Sequence, residues 1–196
     1  MGSQESSLIA VDVALVPPEW VQARARRING ALQSGGLHLD AAHVPHITLA
    51  QFFLLRGAVP LLIERLNLVW RSVAALPLSV LAVVERQSTI SFLLDRTPQL
   101  LELHENLMDA LKEWEEEGGG ADAFYSDGEP ARENDVDWVA DFRTAASYRK
   151  FIPHITLGFG QVPERTEPFD FVARRVGLFQ LGRFCTCRKL LHQWTL

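Results

Sequence analysis

The chain has 196 residues, 47% of them hydrophobic, which is enough for a sizeable core in one domain and short for two. Its formal net charge is −5, with no obvious basic stripe, so the charge favours a small ligand or a nucleic-acid end over an extended duplex. No apolar run reaches membrane-spanning length, and the opening MGSQESS is polar, without the pattern of a secretory signal.

Residues 1–7 read as a flexible tail. They also match the short N-myristoylation pattern Met-Gly-x-x-x-Ser, which is too short to carry weight. Leu8 to Val16 (LIAVDVALV) reads as a buried strand stopped by Pro17-Pro18, and the prolines open a helix. Trp20, Ala23, Ala31 and Leu32 are assigned to that helix, Arg24, Arg26 and Arg27 to its solvent side, and Ser34-Gly35-Gly36 to its end. An extended stretch follows from Leu37 to Leu55. A second helix is expected from Pro60 to about Ala75, on Leu62, Leu66, Val69 and Val73. Leu78 to Val84 and Thr89 to Leu94 read as a hairpin across residues 85–88. Thr97-Pro98 starts a third helix, with Thr97 as N-cap and Leu100, Leu103, Leu107 and Leu111 on one face. Residues 118 to about 140 are rich in Gly, Asp and Glu and read as a long loop, with a helix returning around Ala140 to Tyr148. Phe169 to Leu181 and Phe184 to Leu196 close the chain as two strands. Cys185 and Cys187 sit too close together for a structural staple, and no second pair completes a zinc site. Free thiols in a reducing, cytoplasmic compartment are expected. Strands and helices mix without strict alternation, so the fold class is α+β with largely antiparallel sheets.

One feature stands out along this order. Pro45-His46-Ile47-Thr48-Leu49 recurs unchanged as Pro153-His154-Ile155-Thr156-Leu157. On a strand, His and Thr at i and i+2 share one face, while Ile and Leu share the other. Each copy therefore offers an imidazole and a hydroxyl to a cleft and anchors itself in the core. Two such strands side by side suit phosphoryl chemistry. A neutral imidazole takes a proton from water or a hydroxyl, a protonated one gives a proton to the leaving oxygen, and the hydroxyls donate to non-bridging oxygens. No metal or other cofactor is required. Phe52 shares the face of His46 and Thr48 if the strand continues without a bulge. It is the candidate base-stacking residue, ahead of Phe159, Tyr125 and Trp138. Arg149 and Lys150 precede the second copy and are candidates for steering an anion. His38, His104 and His192 read as surface or core histidines. His43 points away from His46 on a strand, which argues against a shared metal.

With these two His-x-Thr motifs the sequence resembles the 2H phosphoesterase superfamily, which includes LigT-like 2′-5′ RNA ligases and 2′,3′-cyclic nucleotide phosphodiesterases. The resemblance implies a bilobal, pseudo-twofold α+β fold over residues 8–196, taken as a single domain: two mainly antiparallel sheets flanked by helices around a central cleft. It implies His46 and His154 as the acid/base pair, without saying which is which, and Thr48 and Thr156 as phosphate binders. The implied substrate is a nucleotide or RNA end, with hydrolysis of 2′,3′-cyclic phosphates as the leading activity. Ligation or cleavage of 2′-5′ linkages is the alternative, and a non-catalytic module that binds a nucleotide or RNA end is another.

Overall fold

A computed structural model describes residues 7–32, 36–86, 88–126, 128–161 and 166–196. Most of the expected tail, the Ser34-Gly35 helix stop and Gln87 of the hairpin link lie outside them. The strands are β1 (Leu8–Val16), β2 (Ile47–Leu55), β3 (Leu76–Arg86), β4 (Thr89–Leu94), β5 (His154–Phe159), β6 (Phe169–Ala173), β7 (Arg175–Gly182) and β8 (Thr186–Thr195). The α-helices are α1 (Glu19–Ala31), α2 (Val59–Trp70), α3 (Pro98–Leu111) and α4 (Glu133–Ala145). The strands form two four-stranded antiparallel sheets, ordered β2-β1-β7-β8 and β5-β4-β3-β6. The sheets match each other strand for strand, and each carries one pentapeptide on an edge strand. This is the bilobal α+β architecture that the resemblance implied.

Chain entry into each element follows local chemistry. Proline ends β1, and Pro18 stands at the N-cap of α1. Thr97 caps α3, its hydroxyl accepting from the Leu100 N–H at 3.3 Å. The buried face of α1 is Val21, Ala25 and Ile28, whereas Trp20 is half exposed and Ala23 and Ala31 point outward. Trp20, Ala23 and Ala31 lie in the helix as expected and Leu32 is its C-cap, and Trp20 lies against Phe169 on the outside, with Arg24 stacked over the same ring at 4.4 Å. The expected single strand over 169–181 is two strands, β6 and β7, which belong to different sheets. A long apolar run does not reveal where the chain changes sheets. The expected 118–140 loop is also shorter, because α4 begins at Glu133. Its buried residues, Val139 and Phe142, are spaced for a helix. Asp135 secures its start by accepting from the Arg132 N–H at 3.0 Å and the Phe184 N–H at 2.9 Å.

Helices cross between lobes. α1 leaves the first sheet yet packs on β5 and β6 of the second, while α3 leaves the second sheet yet packs on β2 of the first. The main core is continuous through both sheets and these helices. Among the described residues no helix is long and apolar enough to cross a membrane.

Candidate active site

The two pentapeptides face each other across a cleft of about 800 Å³. His46, Thr48, His154 and Thr156 line it, while Ile47, Leu49, Ile155 and Leu157 are fully buried behind them. The alternation expected of a strand holds through the motif and then breaks, in both copies, at the same residue. Thr48 pairs with Ala14 and Ala50 with Val13, so Leu49 is an extra residue, a β-bulge. Thr156 pairs with Ser91 and Gly158 with Ile90, so Leu157 is its counterpart.

Each bulge flips the side chains that follow. Ala50, Phe52 and Leu54 therefore enter the core, and Phe52, at 2% exposure, does not line the cleft. The condition attached to Phe52, a strand without a bulge, is not met. Gln51 takes the cleft-facing position instead. In the second copy the same flip turns Phe159 into the cleft, where it meets Phe184 with ring centroids 5.4 Å apart. Trp138 on α4 also lines the cleft and is half exposed; Tyr125 does not line it. The second bulge needs glycine. Gly158 has φ +141°, and a Cβ there would stand 2.8 Å from the Asn29 amide nitrogen.

Both bulge carbonyls are held by a buried side chain from a helix that has crossed from the other lobe. The His104 Nδ1–H of α3 donates to the Leu49 carbonyl at 2.8 Å, and its Nε2 accepts from the Tyr148 N–H at 2.8 Å. The ring stacks on Phe151, with centroids 3.9 Å apart, just before the second motif. The Asn29 amide of α1 donates to the Leu157 carbonyl at 2.8 Å and to the Leu37 carbonyl at 2.9 Å, and its oxygen accepts from the Leu39 N–H. Each motif strand is thus tied to the opposite half of the chain.

The two histidines share one tautomer. His46 Nδ1–H donates to the Val44 carbonyl at 2.7 Å, and His154 Nδ1–H donates to the Ile152 carbonyl at 2.8 Å. That leaves Nε2 as the second ring nitrogen in both, and in His46 it faces Asp12 Oδ2 at 3.4 Å. Their surroundings differ. Burial alone would lower the His46 pKa, but the hydrogen bond and charge of Asp12, with help from the Val44 carbonyl, outweigh it and hold it above the ordinary value. Burial lowers the His154 pKa against the Ile152 carbonyl, and the charges of His46 and Arg86 lower it further. Asp12 thus favours a proton on His46, while burial and the neighbouring positive charges disfavour one on His154.

Asp12 is the residue that the sequence reading missed. It sits at the centre of β1, fully buried, on the cleft side of the sheet. Its Oδ2 accepts from the Thr48 hydroxyl and the Gln51 amide, each at 2.7 Å, and lies 3.4 Å from His46 Nε2. A carboxylate in the middle of LIAVDVALV was itself a signal, since a buried charge persists only with partners. Gln51 offered none, because the bulge that turns it inward cannot be read from the residue pattern. In the second lobe Ser91 stands opposite Thr156 and Thr89 opposite Phe159, so the two halves share geometry but not charge.

The remaining candidates lie elsewhere or are engaged. Arg149 is exposed and does not line the cleft; Lys150 does, with Nζ donating to the Thr144 carbonyl at 2.8 Å. Arg86 and Arg132 are the other cations on the cleft wall among the described residues, and Arg132 is paired with Asp135. His43 bridges Asp40 and Arg188 away from the motif histidines.

A family model described as the 2′-5′ RNA ligase superfamily matches residues 16–188. Among solved structures, TT0787 of Thermus thermophilus is similar at 16% identity, with 96% of this chain and 98% of that one covered and a TM-score of 0.59. E. coli LigT is similar in its complex with ATP (14% identity, 97% and 99% covered, TM-score 0.54) and in its complex with NADP+ (16%, 97% and 99%, TM-score 0.53). At these identities the likeness is one of fold. No curated protein matches the sequence.

Proposed function

The chain belongs to the 2′-5′ RNA ligase superfamily, and from that premise we propose that it is a phosphoesterase that hydrolyses 2′,3′-cyclic phosphates of nucleotides or RNA ends. One observation carries the reading: two imidazoles, each with Nδ1 held on a backbone carbonyl, line one cleft, and a buried carboxylate, Asp12, stands beside only His46. His154, held neutral, is the base that takes a proton from the attacking water. His46, held protonated by Asp12, is the acid that gives its Nε2 proton to the ribose oxygen as the P–O bond breaks. The two transfers balance without a cofactor. Thr156 donates to a non-bridging oxygen. Thr48 does so only by releasing Asp12, to which its one hydroxyl proton is now committed.

The cleft suits an end rather than a duplex. It has few cations, and Phe159 and Trp138 offer aromatic faces on which a base can stack. That E. coli LigT has been solved with ATP and with NADP+ supports a nucleotide ligand. Residues 8–196 act as one domain in this reading, because each motif is braced by a helix from the other half. The free thiols of Cys185 and Cys187 fit the reducing cytoplasm.

The test is a product assay on cyclic and on linear 2′-5′ substrates with chelator present. Cyclic substrates are expected to be opened. His46→Ala and His154→Ala are each expected to lose about 100- to 10,000-fold in kcat, the usual contribution of a general acid or base. Full activity in either variant overturns the assignment. Turnover of 2′-5′ linkages alone selects the ligase-like reading, and binding without turnover selects a nucleotide-binding module.

A further inference from the structure

The segment that leads into His46 crosses the first sheet on its cleft side. Val44 bridges to Cys187 on β8, its N–H donating to the Cys187 carbonyl at 3.2 Å, and the chain then reaches β2 at the far edge. Beneath this crossing lie Asp12 of β1 and the thiol of Cys187, both fully buried. A ligand atom of Asp12, one of His46 and Cys187 Sγ all lie within 4.8 Å of one another. Pairwise cysteine counting excluded a zinc site from the sequence, but the fold assembles a mixed donor set from three separate segments.

We propose that Asp12, His46 and Cys187 form a three-donor zinc(II) site beneath the cleft-lining His46, and that zinc bound there inhibits the enzyme by occupying His46 Nε2. Carboxylate, imidazole and thiolate are all zinc donors, and three protein ligands with one open position form a recurrent site. The second nitrogen of His46 is already fixed on a backbone carbonyl, the outer-shell arrangement that metal-bound histidines use. Asp12 Oδ1 is buried and has no hydrogen-bond partner among the described residues, so its lone pairs are uncommitted and can be given to a cation. The thiolate and the carboxylate together balance the two charges of the ion. Zinc–sulfur and zinc–nitrogen bonds of about 2.3 and 2.0 Å bring donors within roughly 3 to 4 Å of each other. A contraction of about 1 Å, within the reach of the partly exposed His46 side chain, closes the site. Binding releases the Cys187 thiol proton and any proton on His46 Nε2.

The inhibition rests on the proposed function, but the binding does not, so binding is tested first. Cobalt(II) added to the chelator-stripped full chain is expected to give a thiolate-to-metal charge-transfer absorption at one equivalent, and zinc is expected to abolish it. Cys185→Ala should retain the band. Cys187→Ala should lose it, and His46→Gln, which needs no refitting of the core, should weaken binding by more than the roughly 10- to 100-fold typical of losing an outer-shell partner. No band, or a band that survives in folded Cys187→Ala or is unchanged in His46→Gln, overturns the site. In the activity assay zinc should inhibit the native chain reversibly and leave Cys187→Ala, measured against its own metal-free rate, unaffected. Equal zinc inhibition of both chains overturns the inhibitory role even where the cobalt spectrum holds.

Discussion

Acid should weaken the brace that His104 provides, and by a calculable amount. In the folded chain, burial lowers the His104 pKa from 6.5 to about 4, against the Leu49 hydrogen bond and with the charges of Arg143 and Arg96 assisting. The fold uses the neutral ring, because Nε2 accepts from the Tyr148 N–H, and a protonated ring would set donor against donor. An unfolded chain binds the proton near the ordinary value; the folded chain resists until the lowered one. The stability is therefore complete above about pH 6.5 and is lost as pH falls towards about 4. At 1.36 kcal/mol per pH unit, that interval corresponds to about 3 kcal/mol, a large part of a typical domain's stability. The assay is urea unfolding of the native chain and of His104→Gln at several pH values from about 7 to 4. Glutamine can donate and accept but does not titrate. The variant starts less stable, because it loses the stack on Phe151. The difference between the two chains should then shrink by about 3 kcal/mol across the range, while groups common to both cancel. A difference that stays constant with pH refutes a neutral His104 as the strut.

The pH–rate profile should be a bell with a broadened top. Its acid limb lies below the ordinary imidazole value, where His154 must be neutral, and its alkaline limb lies above it, where His46 must keep its proton. Asp12→Asn should move the alkaline limb downward; if that limb stays put, Asp12 is not what holds the proton. Thr48→Val deprives a buried carboxylate of a donor and should cost about 1 to 3 kcal/mol of stability by thermal unfolding. Thr156→Val faces no such carboxylate and should cost about half a kcal/mol or less, so equal losses contradict the asymmetry. Gly158→Ala should destabilise by about 1 to 3 kcal/mol, because a positive φ and the Asn29 amide both oppose a Cβ. Ala50→Gly at the matching position should cost only about 0.5 to 1 kcal/mol.

The pentapeptide repeat, the sorting of His and Thr from Ile and Leu, the capped start of α3 and the α+β class were all legible in the chain order. Each depends on neighbours in sequence: a side-chain period of two, a helical period, a proline, a cap. The bulges at Leu49 and Leu157 were not legible, because an extra residue in a strand is defined only by the strand beside it. That one feature moved Phe52 into the core and brought Gln51 and Phe159 to the cleft. The placement of Asp12 beside His46, the exchange of α1 and α3 between lobes, and the approach of Cys187 to both are long-range juxtapositions with no local pattern. The sequence presents two identical histidines. Tertiary structure makes them unequal, because it sets a buried carboxylate beside one and leaves the other with burial and positive charge.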